Sequence, residues 1–580
     1  MKKLCFLLLC LTMVLSMAAC GSQTPATPPE TQAPTATPTT APTEVTEAPA
    51  EADEGLGIVT TQYGKLQGIP GEDYENVTVF KGVPYAAAPV GDLRWAPPQD
   101  PESWDGVRVC DTFGKAAMQP YYVEFVCDYT NEDFEWRHFY PDGAPEQSED
   151  CLYLDVFTGS ESSEEKRPVL VWFHGGGYEH GYGFETEFNG EVLADKGVIV
   201  VNVTHRLNVM GLLSLPQLSA ETTYGGSGNY MLMDCAKAVE WVYENIEAFG
   251  GDPSRITIGG QSGGSLKTTA TLVSPLTQGM IKNTYNMSSL LPYAFREYAT
   301  LEDNEAAGLK FLEYFNMDEN TPIEEIRALS AEEVMEGFNY AYDNDGFGCG
   351  LCIDGYSLTQ SAREYYLQPG NLNNLGMMCG NVYGESSPYT AETATELLDQ
   401  LKARYGEELV NKYDIATTMG IDDNNVAQFN VSLPARADMD IERLFVYLVG
   451  QQNENFGFYN FSFDRVTPGS ETGWHSSELW YFFASLRDNG LQRDWEEADY
   501  QTADNASSYW ANFISTGNPN GSDLPNWPAS TPGDGFAFQY VDQAPSTDAE
   551  LNSFDLMVME YNAQRYGFEF DGLAYAESVK

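Results

Sequence analysis

The stretch Gly260-Gln261-Ser262-Gly263-Gly264 sets one hydroxyl among glycines, between an apolar run and a helix of small residues. It suits a strand-turn-helix elbow, in which a strained turn lifts the serine above a sheet and glycines let helix and strand approach closely. A serine that only tolerates a tight bend fits the same five residues, so the rest of the chain has to decide. A serine hydroxyl attacks a carbonyl when a base removes its proton. The chain has five histidines, His138, His174, His180, His205 and His475. In elbow hydrolases the order is serine, acid, histidine, and of the five only His475 follows Ser262. Its context, Gly473-Trp474-His475-Ser476-Ser477 before an aromatic run, suits a base carried on a loop. Charge that develops on a carbonyl oxygen needs N–H donors already in place. His174-Gly175-Gly176-Gly177-Tyr178 offers such a backbone, with Gly176, Gly177 and the residue after the serine, Gly263, as the candidate donors; a merely flexible turn is the plain alternative.

These groups have to be held by a scaffold, and the periodicity supplies one. Residues 167–178 read as a buried strand ending in the glycine turn, and 197–207 as a second strand. From 229 to 251, Leu232, Ala236, Val239, Val242 and Ile246 share one face of a helix that stops at Gly250-Gly251. Residues 254–260 then form the strand that feeds Ser262. Strand, helix, strand is the pattern of a parallel sheet, whose functional loops gather at the C-terminal strand ends. Both glycine turns should therefore sit on one rim.

Five segments, 80–99, 148–157, 174–178, 244–264 and 509–521, occur in an order that resembles type-B carboxylesterases, the α/β-hydrolase family that includes cholinesterases and para-nitrobenzyl-type esterases. The resemblance covers nearly the whole domain. It implies an α/β-hydrolase fold: a mostly parallel twisted sheet, helices on both faces, and insertions over the site. It also places the acid of a Ser-Glu-His triad at Glu385, within 377–389, with Asp354 as the second choice. Arg94 and Glu149 would form a structural ion pair, and Glu478 a supporting carboxylate behind the histidine. The chain departs from the pattern in three places. Gln261 stands where the family has glutamate, Gly263 where it has alanine, and Met118 near the position of a disulfide cysteine, which leaves Cys151 free or paired with Cys127.

The N-terminus carries two lysines, an apolar run and small residues before Cys20, the layout of a signal peptide. Residues 16–20 resemble a bacterial lipoprotein cleavage box, which implies removal of residues 1–19 and lipidation of Cys20; an ordinary secretory peptide is the alternative. Residues 20–54, rich in Pro, Thr and Glu, lack the apolar groups to offset ordering entropy. As an extended tether they would reach up to about 100 Å, at about 3.1 Å per residue. The catalytic domain then runs from 55 to 580. The expected location is extracytoplasmic, anchored to the outer face of the cell membrane, with Cys20 as the only membrane contact.

Thirty basic against 86 acidic residues give a formal net charge of −56. With no basic stripe to replace phosphate counterions, nucleic acid is excluded as a partner, and a neutral or cationic ester is favoured over an anionic one. Cys349 and Cys352 form a lone CxxC, a poor zinc signal, so no metal and no cofactor is expected. Two rival readings share the fold. A surface adhesion protein would typically lack the nucleophile, whereas all three triad positions are filled here. A feruloyl-type plant-polymer esterase would differ only in its pocket.

Overall fold

The computed structural model describes residues 56–579 apart from 121–143, 289–294, 296, 346, 471, 487–492 and 533–535. Cys20, the tether and Cys127 lie outside the described residues. A sheet of eleven strands runs through the domain. In chain order the strands are β1 (Ile69–Pro70), β2 (Thr78–Pro84), β3 (Tyr153–Thr158), β4 (Arg167–Phe173), β5 (Ile199–Val203), β6 (Gly251–Gln261), β7 (Ile281–Met287), β8 (Gly376–Val382), β9 (Gly457–Phe463), β10 (Phe538–Val541) and β11 (Ser546–Asp548). Their spatial order is β11-β10-β9-β8-β7-β6-β4-β5-β3-β2-β1. From β5 to β10 every neighbouring pair is parallel, and antiparallel strands finish both ends.

A parallel strand buried on both faces reads as a continuous apolar run, and Arg167–Phe173 shows why. Its alternate side chains point to opposite faces. Val169, Val171 and Phe173 join the core on one side, with Val239 and Val242 of helix α1 (Tyr230–Asn245) and with helix α3 (Val426–Val449). Leu170 and Trp172 join the core on the other side, where Trp510 and Phe513 of helix α4 (Glu497–Thr516) pack against them. Burial of such a side chain contributes about 1.5–3 kcal/mol. The predicted face of α1 is buried as expected, with Leu232, Ala236, Val239, Val242 and Ile246 all at 3% exposure or less. The chain then tightens into a single 3₁₀ turn and stops at Gly250, whose φ of 83° only glycine adopts freely.

Arg94 and Glu149 meet in a two-pronged ion pair, each prong 2.5 Å long and mostly buried, the geometry that the planar guanidinium favours. Among the described residues Cys110, Cys151, Cys235, Cys349, Cys352 and Cys379 are unpaired thiols.

Candidate active site

Strand β6 ends at Gln261, and helix α2 (Gly263–Val273) begins two residues later, so Ser262 takes the whole reversal of direction. Its φ of 54° and ψ of −120° lie outside the regions a serine ordinarily occupies. Strain of that kind costs about 1–3 kcal/mol and persists only when the surroundings over-determine it. Here Ser262 N–H donates to Met287 O at the end of β7, 2.9 Å away. Ser265 Oγ holds the same corner, 2.9 Å from Gly260 O and 2.7 Å from Met287 O. The glycines are required by close approach. A Cβ on Gly260 would overlap the Gly264 backbone, one on Gly264 the Phe173 carbonyl, and one on Gly263 the backbone of Gly177.

The last of these overlaps places the two glycine turns against each other. In the register of β4 and β6, Phe173 lies opposite Gly260, so the turn that follows β4 and the elbow that follows β6 share one rim. Gly176 and Gly177 have φ of 79° and 63°. Gly177 is exposed and Gly176 half-buried at the mouth of the site, with Gly263 buried beside them.

Glu385 comes from the same rim, three residues past β8, in a turn closed by its own N–H on Val382 O at 3.2 Å. His475 comes from the loop after β9. The structure brings these two together, with His475 Nδ1 2.5 Å from Glu385 Oε1. A carboxylate only accepts, so Nδ1 carries the proton and Nε2 presents a lone pair. Nε2 faces the side-chain amide of Gln261, with Nε2···Nε2 at 3.4 Å. His475 keeps 39% of its side-chain exposure and Glu385 22%, so the pair opens to solvent on one side.

Burial pushes the His475 pKa down, but the charge and hydrogen bond of Glu385, with Glu478 beyond, outweigh it and hold the imidazole above its usual value. Burial pushes Glu385 up, and His475, Ser288 and the Val382 N–H together bring it below the carboxylate range. Glu478 is fully buried and is pushed up to about 7, chiefly by burial and then by the Glu385 charge. Ser288 Oγ donates to Glu478 Oε1 at 2.9 Å, and the same hydroxyl lies close enough to Glu385 to contribute to lowering it.

Ser288 was not visible in the sequence, being one serine after an unremarkable strand. Lys267, on α2, was also missed: it is 1% exposed and lies beneath the glycine turn. A lone lysine among small residues of a helix that must pack against glycines was the available signal. Asp354, the second-choice acid, caps a turn instead, accepting from Tyr356 N–H, Leu358 N–H and Ser357 Oγ at 3.0, 2.8 and 2.6 Å. Among the described residues no three His, Cys, Asp or Glu side chains gather as a metal-binding group.

Known proteins resemble this chain over most of its length. The model of the Carboxylesterase family matches residues 56–556. The chain is 30% identical to para-nitrobenzyl esterase from Bacillus subtilis (strain 168), over 81% of this chain and 92% of that one. It is 27% identical to fumonisin B1 esterase from Sphingopyxis macrogoltabida, over 83% of this chain and 85% of the relative. Among solved structures, a PNB esterase aligns with a TM-score of 0.66 at 26% identity, covering 89% of this chain and all of its own. A Geobacillus stearothermophilus carboxylesterase aligns at 0.65 and 28%, covering 85% and 98%. The chain belongs to the carboxylesterase family and is a carboxylic ester hydrolase with the α/β-hydrolase fold.

Proposed function

We propose that the chain cleaves esters through an acyl-enzyme in which Ser262 is the nucleophile, His475 the base and Glu385 the acid that orients it. The observation that carries this reading is the 2.5 Å Glu385–His475 contact on the same strand-end rim as the Ser262 elbow. Ser262 Oγ bonds to the ester carbon while its proton passes to His475 Nε2, and Glu385 stabilises the imidazolium. The oxyanion is met by the N–H groups of Gly176, Gly177 and Gly263. The C–O bond to the alcohol then breaks, and the departing alkoxide takes the proton from Nε2. Water enters by the same route in reverse, freeing the acid and Ser262. The ester, one water and the three side chains supply every atom and proton of these steps.

The substrate class we infer is a small neutral or cationic ester, because a net charge of −56 opposes the approach of an anion. The test is a hydrolysis screen across acyl chain length and aromatic esters, with Ser262→Ala as the control.

The Gln261 amide makes the pH profile testable. The base must be neutral to accept a proton, so kcat/KM should rise with pH, with the midpoint of its acidic limb above about 6.5. An amide N–H facing Nε2 favours the neutral imidazole, and a carboxylate there would favour the imidazolium. At 3.4 Å and an effective dielectric near 20, one charge contributes at most about 5 kcal/mol, and at a part-exposed histidine screening leaves roughly one pK unit. Gln261→Glu should therefore move the acidic limb upward. An unmoved or lowered limb contradicts this role.

We also propose that the mature chain begins at a lipidated Cys20 and is held outside the cell membrane by the 20–54 tether. Two acyl chains suffice for stable attachment where one gives only marginal binding. Cys20→Ser should release the protein from membranes or block its processing, as read by fractionation and mass spectrometry. An unmodified N-terminus elsewhere on the native protein contradicts the assignment.

A further inference from the structure

Lys267 lies on the nucleophile helix five residues past Ser262, with its side chain 1% exposed. Among the described residues it has no salt bridge to a carboxylate. Its Nζ donates to two backbone carbonyls, His174 O at 3.0 Å and Gly175 O at 3.3 Å. Burial pushes the amine down to about 7. An apolar side chain would fill this space without the cost of burying a cation, so the position of the amine needs a reason.

The reason lies in the planarity of the peptide bond. Gly175 C=O and Gly176 N–H belong to one trans unit and point in opposite directions. A donor that draws the carbonyl to one side aims the N–H to the other. Glycine has no Cβ to bar rotation of its peptide planes, and Gly176 and Gly177 both have positive φ. The next unit is held separately. Gly176 O accepts from the N–H groups of Glu179 and His180, each at 3.1 Å, and faces His180 Nδ1 at 3.2 Å. Beside Lys267, His174 Nδ1 lies 3.0 Å from Gly175 O, and its ring stacks on His205 with centroids 4.6 Å apart.

We propose that Lys267 is a positioning residue for the oxyanion hole: held beneath the glycine turn by the nucleophile helix, its Nζ fixes the Gly175–Gly176 peptide with the Gly176 N–H facing the reacting carbonyl. Ser262 and the lysine that aims the Gly176 donor are thereby carried by one helix. The lock is not a pH switch, because the ammonium and the neutral amine both have N–H groups enough for two carbonyls. This inference rests on the reading of Ser262 and the glycine turn given above.

Lys267→Met removes the donor and nearly keeps the volume, while Lys267→Thr is polar but too short to reach either carbonyl. Each is made in the full chain, checked for native near-UV circular dichroism, and assayed for kcat and KM on a nitrophenyl ester. Each is also titrated with a trifluoromethyl ketone, which forms a tetrahedral adduct whose oxyanion uses the same donors. Loss of one donor costs about 10²–10³ in kcat, so a misaimed one should cost roughly 10–100-fold. KM should stay within about twofold, since the donor acts in the transition state. Affinity for the ketone should fall by a factor similar to that for kcat. The proposal is overturned if a folded variant keeps kcat and ketone affinity within twofold, if kcat falls while ketone affinity does not, or if neither variant folds. Should the unaltered protein itself neither hydrolyse the ester nor bind the ketone, the fault lies with the reading of the site.

Discussion

Ser262→Ala should lower kcat for ester hydrolysis by about 10⁵–10⁶-fold and abolish labelling by a fluorophosphonate, while the melting temperature should stay close to that of the unaltered protein. The size of the effect follows from the proposed acyl-enzyme, in which Ser262 Oγ is the atom that bonds to the acyl group. What survives is binding and the oxyanion donors, which act on water alone. The fold should be indifferent, because alanine keeps the Cβ that already tolerates φ of 54° and the lost oxygen faces a half-exposed site. The paired assays are rates with a nitrophenyl ester and thermal unfolding. Full activity in the variant refutes Ser262 as nucleophile.

His475→Ala should cost a comparable factor, and the double variant no more than either single one. Ser262 without a base is an ordinary hydroxyl, and His475 without Ser262 has no proton to move, so the two losses describe one event. Glu385 also loses the partner that lowers its pKa, so its carboxyl should titrate at a higher pH in this variant. The measurement is kcat for both single variants and the double. Additive losses, or a mere twofold loss for His475→Ala, would point to another base.

Much of the framework behind these predictions is readable along the chain. Strands β4 and β5 announce themselves because burial on both faces leaves a nearly continuous apolar run, broken only by Asn202 in β5 and Arg167 at the start of β4, and α1 because one face is apolar at helical spacing. Ser262 was legible because the elbow needs glycines at fixed offsets, and His475 because the chain order of such sites excluded the other four histidines. Glu385 was reached through the resemblance alone, since many carboxylates lie between Ser262 and His475. Its partners could not be read. Ser288 meets Glu385 and Glu478 only because β7 lies between β6 and β8, and that order joins segments nearly a hundred residues apart. Lys267 looks like a surface lysine until the glycines of the elbow bring α2 against the turn after β4. Strand β6 begins at Gly251, before the 254–260 segment that reads as a strand, and includes Pro253. The pairing of Gly251 with Arg167 across an irregular register extends it where local preference does not.

The central claim is a covalent bond between Ser262 and the acyl group, and it can be weighed directly. The protein is mixed with an excess of nitrophenyl acetate, quenched in acid during turnover, digested and analysed by mass spectrometry. The account predicts one acetyl group on the peptide that contains Ser262, localised to that serine, and none on that peptide in Ser262→Ala. An acetyl group that accumulates on a different residue at the rate of turnover, and persists in Ser262→Ala, would contradict it.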